Sequence, residues 1–188
     1  GEPTAPIGGI LHEMGCWDAV EAAQFPIKVG LTLRWGREAD LWDFDFLPNG
    51  ELKEEPRPAP YRGQRHKTAL QVDRAIYDDI LLRHAESLGC EARQETKVVG
   101  VRTDSNRITG LELAGGEVIE ARWYVDASGH TGALRRPMRV AVECPGKLKN
   151  VAVWDYWEDA EWADTIGVGG TRVQVLSLEY GWFWYIPQ

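Results

Sequence analysis

Apolar positions recur at helical spacing at the start of the chain: Ile7, Ile10, Leu11 and Met14 fall at i, i+3, i+4 and i+7. Pro6 suits a first helical turn and Gly15 a C-terminal cap, so residues 4–23 predict two short helices. The period then changes to two. Leu31, Leu33 and Trp35 alternate on one strand face, and Trp42, Phe44 and Phe46 on the next, which predicts two strands over 29–47. Residues 48–67 are polar and proline-rich and predict a surface connection. The clearest helix runs from Arg74 to Leu88. Asp73 is a natural N-cap, Val72 and Tyr77 are spaced for a hydrophobic staple, and Gly89 stops the helix. Tyr77, Leu81, Ala85 and Leu88 make its expected buried stripe. Residues 91–126 predict a strand meander, with turns at Asp104-Ser105-Asn106 and Ala114-Gly115-Gly116. Residues 137–150 carry no period, and 151–187 return to strands, with Val173 and Val175 alternating before an aromatic run. The order of helix, strands, helix, meander and strands is that of a mixed α/β (α+β) chain.

Charge narrows the function classes. Lys and Arg number 21 against 29 Asp and Glu, a net −8, which argues against a nucleic-acid surface because phosphate binding needs a basic footprint. No apolar run approaches the roughly 20 residues of a membrane-spanning helix. Cys16, Cys90 and Cys144 are widely spaced and odd in number, so they read as reduced and buried, hence a cytoplasmic protein with no membrane partner. Nine tryptophans imply flat apolar surfaces, in the core or around an aromatic ligand.

Four stretches carry candidate chemistry, each with a plainer alternative. Val125-Asp126-Ala127-Ser128-Gly129 is a small-residue turn at a strand end, either a simple tight turn or one that lets a dinucleotide approach the backbone. Lys28, in FPIKVGLTLRWG, is either a solvated charge or an amine lowered into an apolar pocket and made reactive. Arg74 sits in a first helical turn, where the dipole disfavours it; a salt bridge to Asp73 or Asp78 accounts for it, as would an anionic partner. Trp182 and Trp184 share one strand face, and Phe183 and Tyr185 the other, which fits a sheet packed on both sides. The histidines show no metal spacing.

Together these stretches resemble the flavin-dependent halogenases. Trp182-x-Trp184-x-Ile186-Pro187 resembles their W-x-W-x-I-P signature. FPIKVGLTLRWG resembles their F-x-x-K-x-G…W-G segment, and Lys28 falls on the lysine those enzymes use for catalysis. GEPTAP, with Glu2, resembles the G-E-x-x-x-P segment after the second strand of their FAD-binding fold. LQVDRAIYDD, with Arg74, resembles their V-x-R-x-x-[FY]-D helix, and VDASG their D-A-S-G turn beside the flavin. The lysine segment looks more like that of the phenol and pyrrole halogenases than of the tryptophan ones.

The resemblance implies a flavin-monooxygenase-like FAD/NAD(P)-binding fold with an antiparallel substrate-side sheet. Residues 1–28 and 68–136 would form a partial FAD-binding layer, and 29–67 and 137–188 the substrate-side sheet. It implies Glu2, Arg74, Asp126, Ala127, Ser128 and Gly129 as cofactor-binding residues, and Trp182, Trp184, Ile186 and Pro187 as a partition between flavin and substrate. Reduced FAD, supplied by a separate flavin reductase, would take up oxygen as a hydroperoxide and oxidise a halide ion. Lys28 would then deliver the halogen to an aromatic small molecule, free or held on a carrier protein. The opening strand with G-x-G-x-x-G is missing, and Gly167-x-Gly169-Gly170 comes too late to replace it. The chain is therefore expected to be an internal piece of a longer enzyme that by itself binds FAD weakly or not at all. Two other readings stay open: an FAD-dependent monooxygenase or oxidoreductase without halide chemistry, and a non-catalytic binding domain.

Overall fold

A computed structural model describes residues 7–46, 69–143, 146–147, 149–159 and 171–187. The proline-rich connection over 48–67, Glu2, Cys144 and the glycine run from Gly167 to Gly170 lie outside the described residues. Along the chain come α1 (Ile7–Met14), α2 (Trp17–Ala22), β1 (Ile27–Arg34), β2 (Trp42–Asp45), β3 (Ala69–Leu70), α3 (Arg74–Ser87), β4 (Val98–Asp104), β5 (Arg107–Leu113), β6 (Val118–Ile119), a 3-10 turn at Gly129–Thr131, β7 (Thr171–Leu178) and β8 (Gly181–Tyr185). They divide into two units, one of Gly1–Glu91 with Trp157–Gln188 and one of Ala92–Tyr156.

The first unit has a small helical core. Leu11, Cys16, Trp17, Val20 and Phe25 are buried, and Leu70, Val72, Tyr77, Ile80 and Leu81 pack against them. Gly15 takes a left-handed φ of +82°, which closes α1 as the sequence predicts. The Asp73 carboxylate accepts the Ala75 N–H at 2.8 Å and caps α3. The expected buried stripe of α3 is corrected on two counts. Tyr77, Leu81 and Ala85 are half-buried, and Leu88 is 69% exposed. The reason is that α3 ends at Ser87, so Leu88 leaves the helical face just before Gly89 turns the chain at φ +91°. Cys90, just past that turn, is exposed rather than buried, while Cys16 is buried as expected.

Beside the helices lies a five-stranded sheet in the order β2-β1-β7-β8, with β3 also paired to β1. The two strand-forming stretches of the sequence therefore share one sheet. β1 pairs antiparallel with β2 and β3, and β7 with β8, but β1 and β7 run parallel. Short turns impose the antiparallel hairpins. The parallel contact joins strands that only a long crossover can connect, and no local turn encodes it. Strand structure in the last stretch is confined to β7 and β8. Residues 149–157 are irregular, and Val151 and Val153 stand exposed although they alternate.

The sheet has two distinct faces. Register puts Leu31 opposite Phe44 and Val173, and Leu33 opposite Trp42 and Val175; Val175 in turn faces Trp184, and Ser177 faces Trp182. That face is apolar and aromatic. The other carries Gly30, Thr32, Asp43, Asp45 and Arg172. Here Thr32 donates to Asp43 at 2.6 Å, and Arg172 pairs with Asp45 and lies 3.7 Å from Asp43. Gly30 is required: a Cβ there would collide with the Phe44 carbonyl oxygen and the Arg172 guanidinium.

The second unit is the antiparallel meander β4-β5-β6 with its expected turns. Arg93–Glu117 and Arg102–Glu112 ion pairs cross it at 2.9 Å. Among the described residues no helix is long and apolar enough to cross a membrane.

Candidate functional site

Lys28 sits near the start of β1, where a bulge interrupts the ladder. Lys28 faces Thr171 and Gly30 faces Arg172, so two steps of β1 oppose one step of β7. Simple alternation would place Lys28 in the row of Gly30 and Thr32, beside the acidic residues. The bulge instead sets it opposite Thr171, two residues before Val173, in the aromatic row. Its Nζ accordingly lies 5.5 Å from the centroid of the Phe46 ring. Phe46 meets Phe44 edge to face at 6.3 Å. Lys28 is half-buried, and among the described residues it makes no ion pair with a carboxylate. Desolvation pushes its pKa below the ordinary lysine value. An amine so placed has a larger neutral fraction than a surface lysine.

The tryptophans of β8 lie further along the same sheet face. Trp182 and Trp184 are 44% and 51% exposed, so the sheet is not closed over on that side among the described residues. Tyr185 is half-buried, Ile186 exposed and Pro187 buried. Trp182 stands 6.2 Å from Trp35, ring centre to ring centre. The two line an open groove of about 650 Å3 with Arg34, Arg37, Glu38 and Glu179. Lys28 does not line this groove; six residues of strand, about 20 Å at the usual rise, separate it from Arg34.

Arg74 holds both oxygens of Asp78 at 2.9 Å on the exposed side of α3. Just before the helix, Gln71 is buried and its Nε2 has no hydrogen-bond partner among the described residues. Nothing in the sequence marks Gln71; only its burial reveals it. The orphaned amide can serve a polar group laid against this end of the helix.

In the second unit the Asp126–Gly129 turn is built around its carboxylate. One Asp126 oxygen accepts the Ser128 hydroxyl at 2.5 Å and the Ser128 N–H at 3.1 Å. The other accepts the N–H groups of Leu134 and Arg135 at 2.9 and 3.0 Å. The Ser128 hydroxyl oxygen in turn accepts the Ala133 N–H at 2.8 Å. Asp126 and Ser128 thus spend their polar atoms on the loop itself. What the turn offers outward is backbone: Gly129 has φ +62°, and a Cβ there would meet nothing within 4 Å. Open backbone of this kind fits the close approach of a dinucleotide.

The Ser128 hydroxyl, followed by the amides of Arg135, Leu134 and Ser128, holds the Asp126 carboxyl far below its ordinary range. A depressed folded-state pKa stabilises the loop above the unfolded value of 3.8 and loses that effect as pH falls through the folded value. Hydrogen exchange is expected to show the Leu134 and Arg135 amides protected in mildly acidic buffer and progressively released in strong acid. In Asp126→Ala the same two amides should exchange about tenfold faster wherever the carboxylate is ionised in the parent chain, and the difference should close in strong acid. Unchanged exchange in that variant would remove the carboxylate from its role in the loop.

A profile of the family described as tryptophan halogenase matches residues 50–188; Lys28 precedes that match. The chain is similar to a tryptophan 2-halogenase of Chondromyces crocatus, 27% identical over 183 residues that make up 95% of this chain and 31% of the relative. It is similar to the flavin-dependent halogenase armH3 of Armillaria mellea, 34% identical over 172 residues, 87% of this chain and 31% of that one. Among solved structures it is similar to the myxobacterial chondrochloren halogenase CndH, an FAD-dependent halogenase, at 25% identity and a TM-score of 0.62, covering 100% of this chain and 41% of that one. The chain spans 31% of the length of these two curated relatives.

Proposed function

This chain belongs to the tryptophan halogenase family, and from that premise we propose that it forms part of an FAD-dependent halogenase acting on an electron-rich aromatic ring of phenol or pyrrole type. FAD, when bound in its reduced form, supplies with oxygen and halide the oxidised halogen. Glu2, the backbone of Ala127 and Gly129, and Arg74 after exchanging Asp78 for a phosphate would hold that cofactor, with Asp126 and Ser128 shaping the turn. Residues 1–28 and 68–136 would serve the cofactor side, and 29–67 and 137–188 the substrate side. Lys28 holds the electrophilic chlorine or bromine and aims it at the ring. Trp182, Trp184, Ile186 and Pro187 keep the ring away from the cofactor. A flavin reductase is the proposed partner, the cytoplasm the proposed compartment, and the substrate a small molecule, free or tethered to a carrier protein.

The observation that carries this reading is the setting of Lys28: a half-buried amine on an aromatic sheet face, desolvated and without a carboxylate partner among the described residues. A lysine with only a surface role would keep its ordinary pKa. The test uses the longest reading frame that contains this chain, supplied with reduced FAD, oxygen, chloride or bromide and a panel of phenols and pyrroles. The expected product exchanges ring hydrogen for halogen and shows the halogen isotope doublet by mass spectrometry. A hydroxylated product in its place would establish the monooxygenase reading.

A further inference from the structure

Lys28 meets one side chain that no motif singles out. Its Nζ stands 5.5 Å from the Phe46 ring centroid, a separation at which the ring quadrupole attracts an ammonium ion. Phe46 is half-buried, comes directly after the end of β2, and is steadied by its edge-to-face contact with Phe44. The β1 bulge brings the amine to this ring; unbroken alternation would turn it toward the row of Asp43 and Asp45.

We propose that Phe46 is the positioning residue for Lys28: the ring face fixes where Nζ sits and supplies the attraction that a carboxylate would otherwise provide. This rests on reading Lys28 as the reactive amine, but its test does not. Two influences oppose each other at Nζ. Burial favours the neutral amine, and the aromatic face favours the ammonium. A carboxylate in place of the ring would bind the ammonium more strongly and quench the amine. The ring allows an intermediate balance, with the amine held in place and still able to lose its proton.

Among the described residues, the charged groups around Lys28 do not set that balance. On β2, Asp43 and Asp45 are engaged by Thr32 and Arg172. On β7, Arg172 is committed to that same pair. β3 contributes Ala69 and Leu70, which carry no charge, and Asp73 beyond it caps α3. Arg34, on β1 itself, donates to the Ser177 carbonyl oxygen at 3.5 Å.

The experiment titrates the Lys28 amine directly and needs neither flavin nor halide. Lysines are reductively methylated with 13C-formaldehyde in the 188-residue chain, and the Lys28 signal is assigned by its loss in Lys28→Ala. In Phe46→Leu the Lys28 midpoint should fall by about 0.5–1 pH unit, a rise of about three- to tenfold in neutral amine. In Phe46→Tyr, which keeps an aromatic face, the midpoint should stay near that of the parent chain. Circular dichroism confirms that each variant keeps its fold. A folded Phe46→Leu with an unmoved midpoint overturns the proposal, as does a Phe46→Tyr that shifts as far as Phe46→Leu. Loss of halogenation in Lys28→Ala tests the Lys28 reading separately, so the two can fail independently.

Discussion

Lys28→Ala is expected to lower halogenated product by more than about 100-fold while oxygen still reoxidises the reduced flavin at its normal rate. The asymmetry follows from where each reaction draws its chemistry. Oxygen and halide need the cofactor and no amine. Delivery to the ring needs a positioned amine that can offer its nitrogen lone pair. Lys28→Arg should be nearly as damaging, because a guanidinium stays charged and offers no lone pair. The pH dependence has a definite sign. Desolvation lowers the Lys28 pKa from 10.5, so the neutral fraction grows as pH rises, and product formation should climb through a midpoint below that value. Product mass and oxygen consumption measured in parallel check the split. Full product from Lys28→Ala would leave the monooxygenase reading in its place.

The second large effect concerns stability. Asp45→Ala should cost about 2–4 kcal/mol, while Arg172→Met should cost less than about 1.5 kcal/mol. The two partners of one ion pair differ in burial. The Arg172 side chain is 6% exposed, whereas Asp43 and Asp45 are 42% and 44% exposed. Two Arg172 nitrogens, Nε and Nη1, already lack a hydrogen-bond partner among the described residues. Removing Asp45 strands a desolvated cation whose one remaining acidic partner among the described residues is Asp43, at 3.7 Å. Removing the arginine lets the carboxylates return to water, and a methionine can fill much of the space. Urea unfolding of both variants reads the difference. Equal costs would mean that water reaches the guanidinium after all.

Local signals in the sequence were reliable where the structure is local. The Asp73 cap, the Gly15 and Gly89 stops and both meander turns each depend on a few neighbouring residues. The shared face of Trp182 and Trp184 also follows from strand period alone. Long-range features were not legible. The parallel β1–β7 ladder has no turn to announce it. Without that ladder the bulge cannot be seen, and alternation puts Lys28 on the wrong face. Arg172 reads as an ordinary surface residue until Asp43 and Asp45, more than a hundred positions earlier, are brought beside it. Val151 and Val153 alternate as a strand would, yet no partner strand reaches them among the described residues.

The parallel contact of β1 with β7 carries a consequence for how the chain is made. Arg34 and Ser177, bonded across it, are 143 positions apart. On the ribosome, β1 therefore emerges with β2 and waits, one edge bare, until β7 has been synthesised. The meander of Ala92–Tyr156, built from neighbouring strands, can form during that wait. Loop-closure entropy grows only logarithmically with length, so the separation costs little at equilibrium but delays the joining of β1 to β7. An unpaired β1 is also a template for the wrong strand, including the same strand of another copy. The feature that places Lys28 thus makes the nascent chain prone to aggregation, and slower translation or a holdase should raise the yield of folded protein.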